Sequence, residues 1–236
     1  MKAFLLIGQS NMAGRGDFGE VEEINNPLCK MLRNARWQQM SAPVCPDRGV
    51  SVYYHSGIGL SESFADEYAK HYNEQVGLIP CADGGTALRE WQPGTPLFAS
   101  AVMQCKLAQQ YADAEIIGIL WHQGESDSTD KENVALYRDR FMTMLKAFQE
   151  ELDLAEDIPV LIGELGEFTK TYQNGRCVYV DEINAILEDL SNALPRSAFV
   201  SARGLTCKAD GIHFNSPSYR EFGKRYFEAY RTIVEK

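Results

Sequence analysis

Five strand-length apolar runs, separated by longer stretches of helical character, constrain this chain more than anything else in it. They are AFLLI from Ala3, QVGLIPC from Gln75, EIIGILW from Glu115, IPVLIGE from Ile158 and SAFVSA from Ser197. Each is short and bounded by turn or polar residues, as strands are. The intervening segments predict helices at about 60–72, 96–111, 134–150, 181–194 and 217–233. In the last of these, Tyr219, Phe222, Tyr226 and Tyr230 recur at spacings of three and four, which stacks an aromatic stripe on one face. Strands alternating with helices predict a mostly parallel sheet covered on both faces, an α/β chain whose ligands bind beyond the carboxyl ends of its strands.

One segment breaks the alternation. Residues 17–56 hold Pro27, Pro43 and Pro46 among many polar residues, and within them SVYY reads as a short strand. The segment is expected to be a polar excursion beside the site, within a single domain covering 1–236. A chain of 236 residues has ample length to bury one core.

Composition narrows the partners. A net charge of −10 with scattered basic residues disfavours nucleic acid and anionic membrane. The first apolar run is too short for a membrane span or a signal-peptide core, so a cytoplasmic location is the expectation. The six cysteines form no CxxC pair; they are expected to be reduced thiols, with no zinc held among them. Nothing in the sequence assigns an oligomeric state.

Four polar stretches each follow a predicted strand or precede the final helix. In GQSNMAG, Ser10 sits at the start of a helical turn, where free backbone N–H groups stabilise a developing oxyanion; a plain helix cap has the same appearance. The stretch is not the G-x-S-x-G elbow, since Met12 stands where that motif needs glycine. DGGTALREW places Gly84 and Gly85 where backbone approaches a ligand closely, and Arg89 and Trp91 suit a carboxylate and a sugar face. WHQGESD gathers His122, Gln123, Glu125 and Asp127; Gln123 offers a side-chain N–H to an oxyanion, and metal ligation by the others ranks low without a second imidazole. In ADGIHFN, Asp210 stands three residues before His213, the spacing at which a carboxylate orients an imidazole in a tight turn. His55 and His71 read as structural.

Together, GQSNMAG, DGGTALREW, WHQGESD and DGIHFN resemble the sialate O-acetylesterase and acetylxylan esterase group, carbohydrate esterase family 6 of the SGNH hydrolases. The resemblance implies a three-layer α/β/α sandwich around a mostly parallel five-stranded sheet. It also implies a serine esterase that removes acetyl groups from carbohydrate hydroxyls with no metal or organic cofactor. Carried onto this sequence, Ser10 matches the nucleophile, His213 the general base, Asp210 the DxxH carboxylate, and Gly85 the glycine that joins Ser10 in the oxyanion hole. Gln123 stands where many SGNH enzymes have asparagine. Glu125 is the other carboxylate sometimes assigned as the partner of histidine in this branch, so the orienting acid is either Asp210 or Glu125. With a cytoplasmic location expected, a small acetylated sugar fits better as the partner than intact polymer. A longer-chain lipase or thioesterase and an inert carbohydrate-binding domain are the competing readings.

Overall fold

The computed structural model describes residues 1–46 and 55–235. In chain order the elements are β1 (Lys2–Gly8), α1 (Ser10–Ala13), β2 (Cys29–Arg33), β3 (Arg36–Gln39), α2 (Ser61–Tyr72), β4 (Val76–Pro80), α3 (Pro96–Tyr111), β5 (Glu115–His122), α4 (Lys131–Leu152), β6 (Val160–Gly163), α5 (Val180–Ala193), β7 (Ser197–Val200) and α6 (Ser216–Val234). The five apolar runs form five parallel neighbours in the order β4-β1-β5-β6-β7.

The sheet is wider than five strands. β2 and β3 extend it beyond β4, giving the order β3-β2-β4-β1-β5-β6-β7, with only the β2–β3 pair antiparallel. Both added strands come from the 17–56 segment, which therefore builds sheet edge. Their hairpin turns through Asn34 and Ala35, with φ of 52° and 57°. Two consecutive residues in the left-handed region match the twist of the flanking strands. The SVYY run lies outside the described residues.

β1 explains why AFLLI is apolar without alternation. Ala3, Leu5 and Ile7 pack with α3, α4 and α5 on one face of the sheet, while Phe4 and Leu6 pack with α2 and α6 on the other. Phe4 meets Phe64, Tyr68 and Tyr230 edge to face at centroid separations of 4.7 to 5.3 Å. The aromatic stripe of α6 faces this second core, and burial of each such ring stabilises the layer by roughly 1.5–3 kcal/mol.

The chain adds β4 on one side of β1 and β5 on the other. The strand order therefore reverses at β1, and a crevice opens past its carboxyl end. No helix among the described residues is long and apolar enough to cross a membrane.

Candidate active site

Ser10 stands at that crevice because the chain turns sharply after β1. Gly8 has φ of 137°, and a Cβ there would lie 2.1 Å from the His122 carbonyl oxygen of β5, so only glycine fits. The Gln9 N–H then donates to His122 O at 3.0 Å and closes β1 onto β5. Ser10 follows as the first residue of α1, 6% exposed.

The base comes from the loop between β7 and α6. His213 Nε2 lies 2.9 Å from Ser10 Oγ, and His213 Nδ1 lies 2.8 Å from Asp210 Oδ2. Asp210 Oδ1 accepts the N–H groups of Ile212 and His213 at 3.1 and 3.0 Å, so the turn is folded around its carboxylate. Burial pushes the Asp210 carboxyl up, but the His213 ring and these two N–H groups outweigh it and hold the pKa down at about 2. Lys208 N–H donates to His213 O at 2.8 Å and closes the loop from the other end.

Glu125 does not share this contact. It is buried, accepts from Asn11 Nδ2 at 2.5 Å, and lies 3.4 Å from His122 Nε2, within ion-pair reach but without hydrogen-bond geometry. No hydrogen bond or ion pair among the described residues joins it to His213. Of the two carboxylates the sequence leaves open, Asp210 is the one that touches the imidazole.

The β4 loop supplies Gly84 and Gly85. A Cβ on Gly84 would come 3.6 Å from Ser10 Cβ and collide with the Arg15 guanidinium, so the backbone passes directly beside the serine. Gly85 has φ of 74° and opens to free space. Among the described residues, the N–H groups of Ser10 and Gly85 donate to no partner.

Gln123 departs from its expected place. Its side chain is fully buried and does not line the cleft; Nε2 donates to Asp127 Oδ2 at 2.6 Å, Thr86 O at 3.0 Å and Gln9 Oε1 at 3.2 Å, while Oε1 accepts from Tyr137 Oη at 2.9 Å. Every amide hydrogen is spent on joining three loops. Gln9, to which no motif or spacing assigns a role, does line the cleft. Its Oε1 also accepts from the Ser126 N–H at 3.2 Å, and its Nε2 has no partner among the described residues. Trp91 is likewise core rather than sugar platform, 0% exposed and edge to face with Trp121 at 6.2 Å.

Around Ser10 and His213 runs a cleft of about 870 Å³, in the size range of small-ligand sites. Its walls include Arg15, Arg89 and Arg176 as cations and Glu90 and Asp130 as anions. Arg89 is exposed and makes no ion pair among the described residues. No three His, Cys, Asp or Glu side chains among the described residues gather as a metal site.

Comparison with known proteins identifies the chain's relatives. A family model described as "Carbohydrate esterase, sialic acid-specific acetylesterase" matches residues 1–232. The chain is 27% identical to a probable carbohydrate esterase of Arabidopsis thaliana, At4g34215, over 96% of this chain and 89% of that protein. The crystal structure of the Arabidopsis protein superposes with a TM-score of 0.83 at 25% identity, covering 98% of both chains. NanS shares the fold with a TM-score of 0.78 at 17% identity, over 99% of this chain and 97% of that one. XAC1771, a carbohydrate acetylesterase from Xanthomonas citri, shares it with a TM-score of 0.66 at 18% identity, over 99% of this chain and 56% of that one. The chain thus belongs to the carbohydrate esterase family of sialic acid-specific acetylesterases, and it is a serine-type esterase acting on acetyl groups.

Proposed function

We propose that residues 1–236 form one SGNH-hydrolase esterase domain of the flavodoxin-like kind, in which Ser10, His213 and Asp210 deacetylate a small acetylated sugar. The single observation that carries this reading is the relay from Ser10 Oγ to His213 Nε2 at 2.9 Å and from His213 Nδ1 to Asp210 at 2.8 Å. Ser10 Oγ attacks the acetyl carbonyl while His213 Nε2 takes its proton. Asp210 keeps Nδ1 protonated and stabilises the imidazolium that forms. The tetrahedral oxyanion meets the N–H groups of Ser10 and Gly85 and, in the place expected of Gln123, the Gln9 amide. Each such donor contributes roughly 3 kcal/mol. Collapse breaks the ester C–O bond, and His213 returns the proton to the departing sugar oxygen. Water then attacks the acetyl-enzyme by the same route and frees acetate.

The exposed guanidinium of Arg89 and the Arg176 that lines the same cleft favour a sugar that carries its own carboxylate. No binding to nucleic acid or membrane belongs to this reading. Ser10→Ala is expected to abolish turnover of p-nitrophenyl acetate in a folded protein, and an organophosphate is expected to label Ser10 alone. Turnover retained without Ser10 would remove the nucleophile assignment. A panel of neutral and acidic sugar acetates tests the substrate class: Arg89→Ala raises KM for the acidic esters only, and an equal rise for both sends Arg89 out of the sugar site.

A further inference from the structure

Asn11 follows Ser10 directly, yet it does not line the cleft and is 1% exposed. All four hydrogen-bonding positions of its side chain are taken. Nδ2 donates to Glu125 Oε1 at 2.5 Å and to Ile212 O at 3.0 Å. Oδ1 accepts from the Phe214 N–H at 3.3 Å and from Tyr219 Oη at 2.6 Å. Ile212 and Phe214 are the two chain neighbours of His213. The residue beside the nucleophile therefore grips the backbone on both sides of the base, across more than two hundred residues of sequence.

A carboxamide has two ends, and the wrong one facing the loop would put N–H against N–H at Phe214. Glu125 prevents that reversal, because an ionised carboxylate accepts and never donates. Burial pushes the Glu125 carboxyl up, but the His122 imidazole and the Asn11 amide outweigh it and hold it below the ordinary glutamate value. The remaining bonds of the 207–214 loop are of two kinds. Asp210 and Lys208 brace the loop against itself, and Lys208 Nζ reaches Arg15 O and Asp17 at 2.7 Å. Of these only the Lys208 bond to Arg15 O approaches the turn that carries Ser10, and it ends one residue beyond the Gly14 cap of that turn.

We infer that Asn11 is a positioning residue that sets the Ser10–His213 separation, and that Glu125 serves the reaction by fixing the Asn11 amide rather than by contacting His213. The inference rests on the Ser10–His213 reading above. Proton transfer depends steeply on that separation, and misplacement by about 1 Å costs on the order of a hundredfold in rate.

The experiment is a double-mutant cycle in the full-length protein, read with p-nitrophenyl acetate and with the rate of organophosphate labelling. Asn11→Ala is expected to lower kcat by about thirty- to a hundredfold with KM changed less than about threefold, and to slow labelling by the same factor. Glu125→Gln is expected to lower kcat several-fold, and the double variant is expected to be no slower than Asn11→Ala alone. Wild-type kcat in Asn11→Ala, a change confined to KM, or losses that multiply in the double variant would each overturn the inference. Tyr219→Phe removes only one hydroxyl from Asn11 Oδ1. Should Asn11→Ala not fold, the pair Tyr219→Phe and Glu125→Gln carries the test: several-fold lower kcat in both at unchanged KM supports it, and full activity in both overturns it. Ser10→Ala separates the two levels. Turnover without Ser10 defeats the nucleophile reading, whereas full activity of Asn11→Ala beside a dead Ser10→Ala defeats only the positioning role.

Discussion

Two glutamine side chains 114 residues apart meet beside the nucleophile, and only one of them lines the cleft. Gln123 is consumed by internal bonds, so Gln123→Ala strands the Thr86 carbonyl and takes one donor from Asp127 Oδ2, which keeps the Leu88 N–H, while the Tyr137 hydroxyl keeps the backbone carbonyl of residue 123. Each group left unpaired costs about 1–3 kcal/mol, and the effect appears as a lowered Tm. Gln9→Ala removes a donor from the cleft and is expected to lower kcat on the order of a hundredfold, with a smaller fall in Tm than Gln123→Ala because the Ser126 N–H and the Gln123 amide lose only long bonds of 3.2 Å. The reverse pattern, with Gln9→Ala melting early and Gln123→Ala merely slow, would restore Gln123 to the oxyanion. Asp210→Asn keeps an acceptor for the Ile212 and His213 N–H groups while losing the charge that holds the imidazole. Its kcat is expected to fall on the order of a thousandfold or more without unfolding. The depressed Asp210 carboxyl also contributes stability above its ordinary pKa of 3.8, which is lost as pH falls through about 2; Asp210→Asn lacks that acid limb. Ser10, Asp210 and His213, which the structure brings together, are each a chemically distinctive type in a distinctive stretch of sequence. Gln9 and Asn11 are not legible in that way. Which end of a buried amide is committed depends on partners far away in sequence, and no spacing encodes them.

The elements were legible in proportion to their burial. β1, β4, β5, β6 and β7 read as unbroken apolar runs because both faces of the sheet are covered. β3 is RWQQ, mostly exposed at the sheet edge, and its turn carries no glycine, so neither composition nor turn chemistry announced the hairpin. α4 begins at Lys131, before the 134 expected, because Asp130 accepts the N–H groups of Glu132 and Asn133 and starts the helix early. The joint between α2 and α6 holds a further consequence. Glu62 is buried there, accepts the Gly59 N–H, and lies 3.6 Å from Arg220 Nη1. Burial raises its pKa from 4.5 to about 7, against the pull of Arg220. Folding therefore favours the protonated form: the contribution is fully present below 4.5 and lost as pH rises through about 7. Glu62→Gln is expected to remove this decline, so that denaturation midpoints between pH 5 and 8 fall less steeply than in the wild type. Parallel slopes in the two proteins would mean that Glu62 does not titrate there.

At the scale of the whole molecule, the alternation of strands and helices sufficed to predict that distant polar loops converge at one edge of a parallel sheet, since that edge is where such sheets bind ligands. The order of the strands was beyond reach: it depends on which side of β1 each crossover packs, and β1 is equally apolar toward both. That central position also governs when activity appears. The serine precedes its imidazole by 203 residues, and that imidazole follows β7, the last of these strands in chain order. Chains truncated at residue 200 are expected to resist organophosphate labelling entirely. Labelling of such a fragment would show the hydroxyl reactive without its base. A translating ribosome thus carries the nucleophile as an inert alcohol until the loop that follows β7 has emerged and docked beside it.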